Sequence, residues 1–151
     1  MNEAHSVYLH IPFCQKRCSY CDFNTFSGLN HLIPAYIHQL KKEITFYGKQ
    51  FGKELPVKTI FFGGGTPSLI EGSLFKSLFE EIIDNFRVLA NAEISLEANP
   101  GTVSLEYLSN LVKIGFNRIS FGLQTSNPVY LELLGRIHDH YQSIQAIQWA
   151  K

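Results

Sequence analysis

The chain has 151 residues, which is enough for one sizeable hydrophobic core and too few for two comfortable domains. Hydrophobic residues make up 45% of the sequence and charged residues 17%, which is ordinary for a soluble globular protein. The net charge is zero and the basic residues are scattered, so nucleic-acid binding through a basic surface is not expected.

Neither of the usual membrane-directing signals is predicted. The N-terminal stretch MNEAHSVYLH has no basic region followed by an apolar run, so it does not resemble a secretory signal. No stretch approaches the length of a membrane-spanning helix. Three cysteines in a chain without a secretory signal favour a reducing cytoplasm as the expected location.

Apolar strands and amphipathic helices alternate along the chain. The predicted strands are residues 6–11, 57–62, 93–96 and 118–121. The first helix is predicted from Pro34 to a C-terminal cap at Gly48, and Ser73 is predicted to cap the second. The third runs from Ser104 to Ile114 with Leu105, Leu108, Leu111 and Val112 inward, and a final helix starts near residue 139 or 140.

This alternation predicts an α/β fold with parallel strands and helical crossovers. The pattern alone fits either a barrel or an open doubly wound sheet. The chemically suggestive residues follow strands, where the loops of either fold converge. Four strand–helix units cannot close a barrel, so the chain is expected to be the front part of a longer protein.

All three cysteines lie in one short segment, at positions 14, 18 and 21, with the spacing C-x3-C-x2-C. Three thiolates without a fourth suggest a metal centre with one open position. A zinc site completed by His10 or another histidine is an alternative. A disulfide or inert thiols fit less well, because three cysteines within eight residues are odd in number and closely spaced.

The cysteine spacing after a strand, with Tyr20 before the last cysteine, resembles the signature of radical S-adenosylmethionine (SAM) enzymes. The fuller string HIPFC...CSYCDF is similar to one branch, the oxygen-independent coproporphyrinogen III oxidases and the HemW-type haem chaperones. The resemblance runs from Tyr8 to about Asp139 and favours a partial (β/α) barrel over an open sheet. It implies a [4Fe-4S] cluster on Cys14, Cys18 and Cys21, with SAM on the free iron.

Further site residues follow from this resemblance. The turn GGGTP lets a backbone approach a ligand closely but is neither a P-loop nor a dinucleotide fingerprint. Glu97 ends an apolar strand, where a carboxylate is costly unless it is paired or faces a site. The residues implied as SAM contacts are Tyr8, Tyr20, Gly64, Gly65, Thr66, Glu97, Gln124 and Arg136. His10 and Asp22 are expected to orient the cysteine loop, and His138 and His140 to lie on the surface.

Two functions are implied within this branch. The oxidases carry a further cysteine two places after the third ligand, where this chain has Phe23. The strings CDFNTF, LEANPGT and LGRIHD look like the haem chaperones, so a haem carrier is favoured and an oxidase is the alternative. Residues 1–151 are expected to be the N-terminal part of a radical SAM domain, with haem bound only in the full-length protein. An electron donor for the cluster is also expected.

Overall fold

The computed structural model describes residues 4–151, apart from the side chain of Lys53. The first three residues of the N-terminal stretch therefore lie outside the described part. Residues 4–151 contain six strands: β1 His5–Ile11, β2 Phe13–Cys14, β3 Phe26–Ser27, β4 Pro56–Gly64, β5 Arg87–Ala98 and β6 Arg118–Phe121. Five α-helices accompany them: α1 Ile33–Phe51, α2 Gly72–Asn85, α3 Leu105–Ile114, α4 Pro128–Leu133 and α5 His140–Trp149.

The main sheet is parallel and has the order β1-β4-β5-β6. Each new strand is added on the same side of the previous one. Right-handed crossovers of this kind place all connecting helices on one face, which is the arrangement of a barrel wall rather than of a doubly wound sheet. The predicted α/β fold with parallel strands is therefore confirmed.

The core lies between this sheet and helices α1, α2 and α3. Alternate strand residues point toward the helices, which explains why every second residue is apolar. Phe62 of β4 is fully buried and packs edge-on against Phe75 of α2, at a centroid distance of 5.2 Å. Phe116 completes this aromatic cluster, with its ring 5.3 Å from Phe62 and 5.1 Å from Phe75.

Several helix ends differ from the predictions. Helix α1 continues through Gly48 to Phe51, and Gly48 is buried because Asn85 of α2 approaches it closely. Helix α2 starts one residue before Ser73, after Glu71 as the cap. Helix α3 starts one residue after the predicted Ser104, which caps it by accepting from the Tyr107 N–H, and Gly115 follows its last residue.

Two inward positions in α3 were predicted wrongly. Leu105 is 54% exposed and Val112 is 69% exposed, whereas Leu108 and Leu111 are buried. The apolar stripe of α3 is therefore narrower than its sequence suggests. Helix α4 and the short pair β2–β3 were not predicted, since both are too brief to show a period.

Asn117 extends the pairing between β5 and β6 through its side chain. Its Oδ1 accepts from the Ile94 N–H at 2.8 Å, and its Nδ2 donates to the Ala92 carbonyl at 2.8 Å. We expect Asn117→Ala to lower the free energy of unfolding by about 1–2 kcal/mol, because two backbone groups of β5 lose their partners. Urea denaturation measures this difference.

Asn110→Ala is the matched control for this prediction. Asn110 is exposed on α3, and alanine is a better helix former, so stability should stay equal or rise slightly. If Asn117→Ala unfolds at the same urea concentration as the unchanged protein, the side-chain pairing contributes nothing.

Candidate metal and cofactor site

The loops that follow the strands meet at one cavity of about 290 Å³. The cysteine loop follows β1 and begins at the end of β2, the glycine turn begins within the last residues of β4, and Glu97 is the second-last residue of β5. The cavity is lined by ten of the eleven residues implied by the resemblance: Cys14, Cys18, Tyr20, Cys21, Gly64, Gly65, Thr66, Glu97, Gln124 and Arg136. Residues separated by more than 100 positions in the sequence are therefore neighbours here.

Tyr8 is the one implied residue that does not line the cavity. It lies on the open face of β1, is 56% exposed, and its hydroxyl lies 3.0 Å from His10 Nδ1. Its ring packs against Phe61 at a centroid distance of 5.9 Å. A Cβ atom on Gly63 would lie 3.1 Å from Tyr8 Cε2 and 3.3 Å from Glu97 Oε2, so Tyr8 lies beside the cavity. Burial raises the pKa of the Tyr8 hydroxyl, and the negative charge of Glu97 raises it further.

The three cysteines are free thiols, and each contacts a different partner. Cys14 Sγ accepts from Thr66 Oγ1 at 3.6 Å, and Cys18 Sγ accepts from Arg136 Nη1 at 3.1 Å. Cys21 Sγ lies 3.9 Å from Thr25 Oγ1. Within residues 4–151, no three His, Cys, Asp or Glu side chains lie close enough together to share one metal ion.

The cysteine loop is tied to the segment after α4. The Ser19 N–H donates to the Leu134 carbonyl at 3.2 Å, and the Ser19 hydroxyl donates to the Leu133 carbonyl at 3.0 Å. Inside the loop region, His10 Nε2 lies 2.9 Å from the Asn24 carbonyl, in agreement with its predicted orienting role. Asp22 is exposed.

The glycine turn packs directly against the cysteine loop. The Gly65 N–H donates to the Ile11 carbonyl, and the Thr66 N–H donates to the Phe13 carbonyl, both at 2.7 Å. A Cβ atom on Gly65 would lie 2.6 Å from the Phe13 oxygen, so only glycine fits at this position. The Gly64 N–H points to the Glu97 carboxylate, with a nitrogen–oxygen distance of 3.3 Å.

Arg136 is one of two cationic residues that line the cavity, the other being the exposed Lys16. Its Nη2 donates to the Gly122 carbonyl at 2.5 Å, and its Nη1 also reaches the Tyr20 hydroxyl at 3.4 Å. Its Nε is buried and has no hydrogen-bond partner in the part of the chain that the structure describes. Burial raises the pKa of Tyr20, and Arg136 opposes that rise. A buried guanidinium N–H without a partner suits an anionic ligand such as a carboxylate.

His138 is buried, contrary to the expectation that it lies on the surface, whereas His140 is exposed as expected. His138 Nδ1 lies 2.9 Å from Asn99 Oδ1, and burial lowers the pKa of the ring, with Arg136 lowering it further. Sequence reasoning also missed Asn99 and Phe121 as cavity-lining residues. Asn99 follows a strand end directly, so the strand-end rule that selected Glu97 could have selected it.

The chain belongs to the radical SAM superfamily, which it matches over residues 8–151. Membership of this superfamily implies a [4Fe-4S] cluster and SAM.

No helix among residues 4–151 has the length and hydropathy needed to cross a membrane.

Individual relatives lie in one branch of the superfamily. The chain is 38% identical to the haem chaperone HemW of Escherichia coli, over 96% of this chain and 38% of that protein. It is 35% identical to the oxygen-independent coproporphyrinogen III oxidase of Synechocystis, over 97% of this chain and 32% of that protein. It therefore spans less than two fifths of these relatives.

A solved structure of a radical SAM enzyme also matches this chain. The coproporphyrinogen III oxidase HemN of Escherichia coli, a radical SAM enzyme, superposes with a TM-score of 0.90 at 31% identity. The superposition covers 99% of this chain and 35% of HemN. The partial-barrel interpretation of the four parallel strands is confirmed by this match.

Proposed function

We propose that Cys14, Cys18 and Cys21 hold a [4Fe-4S] cluster and that SAM binds beside it. The observation that carries the proposal is the convergence of the three thiols and seven further implied residues on one cavity. The donor set fits the group, because three soft sulfur ligands suit an iron–sulfur cluster and leave one iron open. When bound, such a cluster supplies the electron that reductively cleaves SAM.

The other residues provide binding and orientation. The unpartnered Nε of Arg136 is a donor for the SAM carboxylate, and the Glu97 carboxylate is an acceptor for its amino group. The glycine turn brings backbone groups of Gly64 and Gly65 to the ligand. Tyr20, Thr66 and Gln124 line the same cavity, and Tyr8 borders it from the open face of the sheet.

For the whole protein we propose a haem chaperone-like role in porphyrin and haem metabolism, in the cytoplasm, with residues 1–151 as the N-terminal part of a radical SAM domain. Most of the relatives with high sequence similarity are HemW chaperones. Phe23 lines the cavity at the position where the oxidases carry a further cysteine. Haem or a porphyrin and an electron donor are the proposed partners.

An oxygen-independent coproporphyrinogen oxidase is the second candidate, favoured by the similarity to HemN and to the Synechocystis oxidase. The experiment reconstitutes the full-length protein with iron and sulfide without oxygen, then adds SAM, a reductant and coproporphyrinogen III. A separate sample is titrated with haem. We expect haem uptake without turnover, whereas formation of protoporphyrinogen would identify an oxidase.

A Cys18→Ser protein is the control, since it separates cluster-dependent turnover from background oxidation. A zinc-stabilised α/β module is the third candidate from the sequence, and it is disfavoured because no three His, Cys, Asp or Glu side chains of residues 4–151 lie close enough together to share one ion. Elemental analysis of the isolated protein tests it, because that candidate requires zinc and no iron.

A further inference from the structure

A buried polar network lies directly behind the cavity wall. Its side chains are Ser68, Asn99, Thr102 and His138, and three of them are more than nine-tenths buried. Each of these three follows a proposed SAM contact by two residues: Ser68 follows Thr66, Asn99 follows Glu97 and His138 follows Arg136. The network therefore joins the loops that carry these contacts.

Three hydrogen bonds close a ring around Asn99. The Asn99 N–H donates to Ser68 Oγ at 3.3 Å, and the Thr102 hydroxyl donates to the Asn99 carbonyl at 2.8 Å. Ser68 and Thr102 share a bond of 2.5 Å between their hydroxyls. Because the Thr102 proton is already used, Ser68 is the donor in that bond. Each hydroxyl then donates once and accepts once, so the ring is satisfied.

His138 connects this ring to the loop after β6. Asn99 Oδ1, which accepts from the Gly101 N–H at 3.2 Å, lies 2.9 Å from His138 Nδ1. His138 Nε2 lies 3.3 Å from the Leu123 carbonyl. A neutral imidazole carries one N–H, so His138 donates to either Asn99 Oδ1 or the Leu123 carbonyl. The ring lies between these two oxygens in either case.

The Leu123 carbonyl immediately precedes an unusual backbone conformation. Gln124 has a φ of +66°, and no other non-glycine residue of the described chain has a positive φ. Such a conformation is costly and persists only where its surroundings enforce it. His138 contacts the carbonyl of the residue before this turn, and Gln124 lines the cavity.

We infer that Ser68, Asn99, Thr102 and His138 act as positioning residues, with His138 as the link that holds the Glu97 and Gln124 loops at the spacing SAM requires. This inference rests on the proposed function. It assigns a role to buried polar groups that do not themselves bind the cluster. A hydrogen-bonded buried network rigidifies its surroundings, which is the property a preformed ligand site needs.

The test compares three variants of the reconstituted protein. His138→Leu replaces the ring by an apolar side chain and so removes the ring N–H donor. His138→Gln instead supplies amide N–H groups that reach the same oxygens. His140→Gln makes the same chemical change on the exposed surface two residues away. SAM is titrated while the electron paramagnetic resonance of the reduced cluster is followed.

We expect all variants to take up iron like the unchanged protein. His138→Leu should weaken SAM binding about tenfold, because the lost contacts release both loops. His138→Gln should recover most of this affinity, and His140→Gln should bind SAM normally. Unchanged SAM affinity in His138→Leu would overturn the inference, and so would a loss of iron from that variant, which would indicate general misfolding.

Amide hydrogen exchange on the cofactor-free protein gives an independent readout. His138→Leu should speed exchange at residues 99–101 and 122–125 while leaving α1 unchanged. Uniformly faster exchange, or no change at these two segments, contradicts the positioning role. If even the unchanged protein takes up no cluster, the proposed function fails, and the exchange data still decide whether the network holds the loops.

Discussion

Replacing Cys14, Cys18 or Cys21 by serine should abolish assembly of the iron–sulfur cluster. Each thiol lines the same cavity, and only three cysteines are present, so a single replacement leaves two thiolate ligands for the cluster. A serine hydroxyl is a poor ligand for iron of this kind, because soft thiolates are preferred. After anaerobic reconstitution, iron and sulfide analysis should give about four irons per unchanged chain and close to none in each variant.

Ser19→Ala is the matched control for the cysteine variants. Ser19 lies in the same loop and loses only its hydroxyl bond to the Leu133 carbonyl, while its N–H still donates to the Leu134 carbonyl. The alanine variant should therefore assemble the cluster. A cysteine variant that retains full iron and sulfide would contradict the proposed ligand set.

The Gly65→Ala substitution should damage stability and SAM binding together. The added Cβ would lie 2.6 Å from the Phe13 oxygen and 2.9 Å from the Ile11 oxygen, both of them backbone atoms. Removing this clash requires breaking the two backbone hydrogen bonds of 2.7 Å that join the glycine turn to residues Ile11 and Phe13, or displacing Cys14. We expect the free energy of unfolding to fall by about 2–3 kcal/mol.

We also expect SAM affinity to fall at least about tenfold in the reconstituted Gly65→Ala protein, since the turn forms one wall of the cavity. Urea denaturation and SAM titration provide the two measurements. Gly72→Ala is the control, because Gly72 begins α2 and its nearest contact would be Asn110 Cβ at 3.9 Å. If the two alanine variants have the same free energy of unfolding and the same SAM affinity, close packing at Gly65 contributes to neither quantity.

The sequence was sufficient to predict the four strands of the main sheet in chain order and the edge of that sheet where polar residues gather. Strands β4 and β6 are marked by apolar residues with turn residues after them, as in the Phe62–Gly63 junction. The strand-end position of Glu97 and Gln124 followed from the same pattern. These signals are local, so they can be recognised in the sequence without knowledge of the packing.

The remaining differences arise from contacts between distant segments. Gly48 has the sequence appearance of a helix cap, but it lies inside α1 because Asn85 packs against it. His138 lies in a polar stretch, and only the approach of Asn99 and Leu123 buries it. Neither approach is visible in the residues adjacent to Gly48 or His138, so neither could be predicted from local sequence.

The roles of the individual site residues stay predictions. The structure brings the three cysteines and the proposed SAM contacts to one cavity, with Tyr8 beside it. Similarity to radical SAM proteins supplies the identity of the cofactors.

The central claim is that three thiolates hold a cluster whose fourth iron binds SAM. The most direct measurement is the electron paramagnetic resonance spectrum of the reduced, anaerobically reconstituted protein, recorded with and without SAM. Binding of SAM to the open iron predicts a cluster signal whose shape changes when SAM is added. A cluster signal that SAM leaves unaltered, or no cluster signal at all, would contradict the claim.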